Sequence, residues 1–217
     1  MNNLIKRILT SIVLFSIIVF SLFYNNHLWL FILISASVIS LFEFNKLFKR
    51  IWKKDVTKII LINVLFFVYF IFFTYASYDL SKEISTISLI LLICIFSDIG
   101  GYTVGKIFGG RKLTKISPNK TISGSIGSFL FSLIPFIIII SFFNDKEKVI
   151  NNLEFFIITL FISLISQIGD LFVSLFKRKA NVKDTGSILP GHGGLLDRID
   201  GIIFAVPSVF IIIKIFY

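Results

Sequence analysis

Seven long apolar blocks, at 8–23, 28–42, 59–76, 84–104, 126–143, 153–176 and 202–216, alternate with short polar segments along the chain. None shows the apolar-polar alternation of a half-buried strand, and their lengths approach the roughly 20 residues that a helix needs to cross the hydrocarbon of a bilayer. The pattern predicts an all-α, polytopic integral membrane protein with about seven transmembrane helices. Only Tyr24, Asn25, Asn26 and His27 join the first two blocks, so a single tilted or re-entrant unit is the alternative there. No stretch reads as a soluble second domain or an internal repeat. The first block lacks a small-residue cleavage site after it and is read as an uncleaved anchor.

Composition sharpens this picture. Of 217 residues 56% are apolar and 16% charged, with a mean hydropathy of +0.93, against about half and a quarter in ordinary globular domains. The net charge of +10 would point to nucleic acid in a soluble domain, but here the charge sits between spans, where it sets orientation instead. Eighteen Lys and Arg fall on one side, at the N-terminus and in the segments after blocks two, four and six, against Lys82, Lys146 and Lys148 on the other. That bias puts the N-terminus and the glycine-rich segments in the cytoplasm. One Cys and one Met exclude a disulfide scaffold, a four-thiolate metal site and an iron-sulfur cluster.

Two of the basic segments also hold the glycine clusters, and the second of them holds the three acids Asp184, Asp197 and Asp200, which topology does not require. In the fourth block Asp98 stands among apolar residues, at a cost near +3 kcal/mol at the centre of a lone helix. Asp98, Gly101, Tyr102, Gly105 and Gly109 follow helical spacing, which puts the acid on a small-residue track that lets another helix approach closely. Gly100 to Lys106 spells G-x-x-x-x-G-K, but Ile107 stands where a P-loop needs Ser or Thr, and no strand precedes it. In the sixth block Ser163, Gln167, Asp170, Ser174 and Lys177 recur at steps of 4, 3, 4 and 3, drawing one polar stripe. Asp170 and Asp98 are expected at similar depth, sharing one cavity.

The densest constellation follows: Lys177-Arg178-Lys179, Lys183-Asp184, Pro190-Gly191-His192-Gly193-Gly194, and Asp197-Arg198-Ile199-Asp200. Asp197 and Asp200 are three apart, a spacing suited to holding a hard divalent cation such as Mg²⁺, while the basic residues and glycine amides suit phosphate oxygens. His192 has no second His at zinc-ligand spacing, His27 belongs to the interface, and Cys94 is an apolar filler. The sequon Asn119-Lys120-Thr121 falls on the cytoplasmic side and is read as chance.

The run from Ser174 through Lys177-Arg178, Lys183-Asp184 and Pro190-Gly191-His192-Gly193-Gly194 to Asp197-Arg198-Ile199-Asp200 resembles the C-terminal signature of the phosphatidate cytidylyltransferases, the CDP-diacylglycerol synthases. Asp98 to Tyr102, Gly105, Gly109 and Ser117-Pro118-Asn119-Lys120-Thr121 are similar to that family's other cytoplasmic motif. The resemblance implies a single membrane domain, with N-terminal spans over 1–83 and a catalytic core over 84–217. It implies transfer of the cytidylyl group of CTP to phosphatidate with Mg²⁺, at the cytoplasmic face of the cell membrane, in a homodimer and without nucleic acid. On it, Asp170, Asp197 and Asp200 bind metal, and Lys120, Lys177, Arg178, Lys183 and Arg198 meet phosphates. Ser117, Thr121, Ser174, His192, Gly191, Gly193 and Gly194 position substrate, and Asp98 and Asp184 serve as further acids. The chain departs from the family where Ser123 and Val173 replace expected Glu residues and Gly101 replaces Ala. A CTP-dependent polyprenol or phytol kinase and an anion transporter are the alternative readings.

Overall fold

A computed structural model describes residues 3–53, 55–142, 152–191 and 193–216. Among them are eight helices and no strand beyond two isolated bridges: α1 (Asn3–Tyr24), α2 (Asn26–Ile51), α3 (Val56–Leu80), α4 (Ile84–Phe108), α5 (Ile122–Phe142), α6 (Asn152–Lys179), α7 (Leu196–Ile199) and α8 (Ile202–Phe216). α2, α3, α4 and α6 are long and apolar enough to cross a bilayer, and shorter apolar helices cover Leu9–Tyr24, Ile122–Ile138 and Ile202–Phe216. Each expected span thus falls on a helix, and the protein is an all-α, multi-pass membrane protein. The outer end of the expected fifth span, at 143, lies outside the described residues, as do Lys146, Lys148 and His192.

Helix boundaries follow local chemistry. Asn25 separates α1 from α2 with extended backbone (φ −160°) and accepts from the His27 amide at 2.7 Å, so the first two blocks are two helices. Asp55 caps α3, accepting from the Lys58 amide at 3.1 Å, and hydrogen bonds from Lys58 hold its carboxyl below the usual range. The end of α6 is a Schellman motif in which Asn181 takes the left-handed conformation (φ 54°). Val182 N donates to Lys177 O at 2.9 Å, and Asn181 N to Arg178 O at 3.0 Å. That cap fixes Lys177, Arg178 and Lys179 in the last helical turn, where cations complement the helix dipole.

The chain divides into two compact units, Met1–Ser85 with Leu175–Asp200, and Thr86–Ser174 with Gly201–Tyr217. In the first, α2 and α3 pack through a ring cluster of Phe44, Phe48, Phe66 and Phe176, with centroids 4.3 to 6.3 Å apart. A Ser37–Thr74 hydrogen bond of 2.8 Å ties the same helices. The outer faces expose Phe31, Phe42, Leu61 and Phe67, as lipid contact requires.

In the second unit α4 and α5 meet backbone to backbone. A Cβ at Gly127 would overlap Val104 and stand 2.7 Å from Gly100 O, and one at Gly124 would stand 2.8 Å from Gly101 O. The small-residue track is therefore a helix crossing, with Gly100, Gly101 and Gly105 on one side and Gly124 and Gly127 on the other. Ser97 and Ser163 hydrogen-bond between α4 and α6 at 2.9 Å, and Ser125 on α5 donates to Gln167 at 2.6 Å.

This crossing has no room for a methyl group. Gly127→Ala should destabilise by about 1–3 kcal/mol through overpacking. The expected result is a lower thermal midpoint in detergent, with Ile126→Ala on the exposed neighbouring face close to the parent. Equal midpoints for Gly127→Ala and parent would contradict the packing described.

Candidate active site

In the first unit the segment after α6 folds around carboxylates. Asp197, on α7, receives Lys177 Nζ on Oδ1 at 2.7 Å. Its Oδ2 receives Thr185 N at 2.8 Å, Thr185 Oγ1 at 3.0 Å and Gly194 N at 3.2 Å. The Lys177 and Asp197 side chains are only 13% and 6% exposed. Leu189 and Gly193 pair, with Leu189 N donating to Gly193 O at 3.0 Å and Gly193 N to Leu189 O at 3.2 Å. Gly191 (φ 77°) and Gly193 (φ 85°) supply left-handed backbone there. Thr10 on α1 donates to Pro190 O at 3.0 Å, which anchors the tip.

Gly193 and Gly194 thus spend their amides on Leu189 O and Asp197, inside the protein. What the segment turns outward is charge: Arg178, Lys179, Lys183, Asp184 and Arg198 are exposed. Asp200 is buried, at 8% exposure.

Glu43 was not singled out from the sequence, yet it is the most deeply buried acid here. It lies on α2 at 0% exposure and accepts from Thr185 Oγ1, Leu195 N and Leu196 N. The expected span ended at residue 42, which placed this acid in a polar loop. α2 instead continues to Ile51, because Ser40, Glu43, Phe44, Leu47 and Phe48 extend its buried face at steps of three and four. A lone acid between Phe42 and Phe44 was the available signal.

The second unit holds the other cluster. After α4 the chain turns through Gly109 (φ 58°) and Gly110 (φ 102°), and 111–113 pairs with 120–122 through Leu113 N to Lys120 O at 2.8 Å and Ile122 N to Arg111 O at 3.0 Å. This hairpin presents Lys120, whose ammonium meets Asp170 Oδ2 on α6 at 2.5 Å, with the two side chains 25% and 31% exposed. Ser174 donates to Asp170 Oδ1 at 3.2 Å. Ser117 begins the tight turn, its carbonyl accepting from Lys120 N at 3.0 Å. Thr121 is the N-cap of α5, its hydroxyl accepting from Gly124 N at 3.0 Å. Ser123, where the family resemblance leads one to expect Glu, latches the hairpin by donating to Gly109 O. Val173, the other such position, is fully buried at 0% exposure. Asp98 is exposed on α4.

Every member of the polar stripe on α6 meets a polar partner: Ser163 and Gln167 through Ser97 and Ser125, Asp170 and Ser174 through Lys120 and each other, and Lys177 through Asp197. As to metal, among the described residues no group of three or more His, Cys, Asp or Glu is arranged to hold an ion. The oxygen donors are of the type Mg²⁺ prefers. Among the described residues Asp170 meets Lys120 on Oδ2 and Ser174 on Oδ1 and so keeps acceptor capacity, whereas Asp197 has only Oδ1 to offer, beside the Lys177 ammonium.

Fold and clusters together define a multi-pass helical membrane protein in which buried and half-buried carboxylates hold lysines and a glycine-rich loop. Residues 53–216 match the cytidylyltransferase family. The chain is 35% identical over 219 residues to a phosphatidate cytidylyltransferase of Rickettsia bellii, covering 97% of this chain and 91% of that protein. It is 34% identical over 221 residues to that of Rickettsia typhi, covering 96% and 91%. Against the Bacillus subtilis protein of the same name it is 43% identical over 121 residues, 55% of this chain and 44% of that one. The chain belongs to the cytidylyltransferase family.

The two lysine pairs differ in burial, and their energetics should differ accordingly. Asp197→Asn strands a nearly buried Lys177 ammonium and should cost about 3–5 kcal/mol. Lys120→Met opens a pair that water already reaches and should cost about 0–1 kcal/mol. Thermal midpoints of the two variants in one detergent check this, and a loss for Lys120→Met as large as that for Asp197→Asn would contradict it.

Proposed function

We propose that the protein transfers the cytidylyl group of CTP to phosphatidate, giving CDP-diacylglycerol and pyrophosphate in phospholipid synthesis. The observation that carries this is the alignment with the Rickettsia bellii phosphatidate cytidylyltransferase along nearly the full length of both chains. The surface chemistry supports it. A phosphate oxygen of phosphatidate attacks the α-phosphorus of CTP, a new P–O bond forms, and the bond to the β-phosphate's bridging oxygen breaks with its electron pair leaving on pyrophosphate. Such a reaction asks the protein for cations at fixed positions more than for a covalent nucleophile. Arg178, Lys183 and Arg198 are exposed for phosphate oxygens, and Lys120 and Lys177 are held in place by carboxylates.

Mg²⁺, for which Asp170 in the second unit and Asp197 and Asp200 in the first are each candidate ligands, would neutralise charge on the phosphates when bound. Asp170 suits that role as it stands. At Asp197 the ion would compete with Lys177 for Oδ1.

We further infer from the Lys and Arg distribution that the segments after α4 and α6 face the cytoplasm at the cell membrane. Single cysteines at Ser117, Ser187 and Lys82 in a Cys94→Ser background test this: a membrane-impermeant thiol reagent should label the first two from the inside and the third from the outside. Labelling of Ser117 and Ser187 from opposite sides would refute it.

The reaction itself is distinguished by where label goes. With phosphatidate and Mg²⁺ in detergent, α-³²P from CTP should appear in lipid and γ-³²P in pyrophosphate. A lipid kinase would put γ-label in lipid and leave α-label in CDP, and label in neither product would remove the transferase reading. Asp170→Asn should raise the Mg²⁺ concentration needed for half-maximal rate, and an unchanged Mg²⁺ dependence would remove Asp170 from the ligands.

A further inference from the structure

Glu43 has no place in the reading above, yet the whole segment that carries the family signature is built onto it. Thr185 Oγ1 donates to its Oε2 at 2.7 Å, Leu196 N to Oε2 at 2.9 Å and Leu195 N to Oε1 at 3.1 Å. The donors stand 142 to 153 residues away in sequence, so one α2 side chain gathers both ends of the loop 185–196. Gly186 and Gly194 press on the same carboxylate: a Cβ at Gly186 would overlap Glu43 Oε1, and one at Gly194 would stand 2.5 Å from Oε2. These two glycines give room to the acid, whatever their backbone angles.

The contacts require a carboxylate. Glutamine offers one acceptor oxygen and one NH₂ donor, so whichever way it turned, its NH₂ would face a backbone N–H on one side or Thr185 and the Leu196 amide on the other. At least one buried donor would lose its partner.

Thr185 carries the effect onward. Its hydroxyl has one proton and lies 2.7 Å from Glu43 Oε2 and 3.0 Å from Asp197 Oδ2, so it bridges the two acids and fixes their separation. Asp197 Oδ1 in turn holds Lys177 Nζ at 2.7 Å. We infer that Glu43 is a positioning residue for the transfer reaction: it templates the 185–196 loop and, through Thr185 and Asp197, sets where the Lys177 ammonium stands. The inference rests on the cytidylyl-transfer reading for the role it gives Lys177.

The test uses the full chain purified in detergent, with Glu43→Gln, Thr185→Val and the double variant assayed for transfer from CTP to phosphatidate. In protein that elutes and melts as a folded species, Glu43→Gln should lower kcat on the order of 100-fold, as expected for misplaced reacting groups, while KM for CTP stays near the parent's. Thr185→Val should lower kcat less, and the double variant should be no slower than Glu43→Gln alone, because both act through one link. A folded Glu43→Gln with parental kcat, or effects that multiply in the double variant, would overturn the proposal. If Glu43→Gln does not fold, Thr185→Val decides, and a parental kcat there overturns it. If the parent transfers no cytidylyl group, the functional reading has failed separately. The templating claim is then judged by hydrogen exchange at Leu195 and Leu196, which must be faster in Glu43→Gln or Thr185→Val than in the parent, and equal rates would refute it.

Discussion

A carboxylate inside an apolar helical protein has to be given donors, and that demand shapes the polar part of this molecule. Removing an ion from water costs several kcal/mol even after relaxation, and each charge-assisted hydrogen bond returns about 1.5–3 kcal/mol. One donor is therefore too few, and Glu43 and Asp197 have more. Each has two backbone N–H donors, the two share the Thr185 hydroxyl, and Asp197 has a lysine on Oδ1 as well. These donors are supplied by segments with little other reason to be ordered: among the described residues, the loop after α6 has no helix until Leu196 and no strand pairing beyond a single bridge. The acids give that loop its conformation. The net gain in stability is small, but the loss on removing any one partner is large, and that asymmetry favours one loop conformation over its alternatives.

Glycine serves three separate physical demands in this chain, and only the third has no local pattern. The track at 101 and 105 implies a close helix crossing, and α4 and α5 do cross there, with Gly100 and Gly127 contributing backbone contact as well, whereas Gly109 lies past the end of α4 in a turn with nothing near its Cβ position. Gly191 and Gly193 answer a conformational demand, positive φ in a tight turn, which the Pro-Gly-x-Gly pattern makes legible. Gly186 and Gly194 answer a steric demand set by Glu43, more than 140 residues away in sequence. No local pattern carries that information.

The spans are legible as long apolar blocks and the polar stripe on α6 as a helical period, and both signals survive without knowledge of the neighbours. Helix ends were less so. α2 outruns its expected end by nine residues, because an amphipathic turn containing Glu43, Asn45, Lys46 and Lys49 has too low a hydropathy to read as part of a span while still burying Phe44, Leu47 and Phe48. The rule that flagged Asp98, an acid flanked by apolar residues and needing compensation, applies equally to Glu43.

The same constraint gives meaning to the two positions at which the family resemblance leads one to expect a glutamate. Val173 is fully buried on α6, where a glutamate would have needed donors of its own, and valine makes no such demand. Ser123 sits in the first turn of α5, where an acid would gain from the helix dipole. Its hydroxyl instead donates to Gly109 O, a bond a deprotonated carboxylate cannot make because it has no proton to give. The hairpin that carries Lys120 is thereby tied at its base through a neutral hydrogen bond, and Lys120 is left to pair with Asp170 without a competing acid at position 123. A Ser123→Glu exchange would therefore change two things together: it would remove the Gly109 latch and add a second carboxylate to the hairpin that positions the Lys120 ammonium.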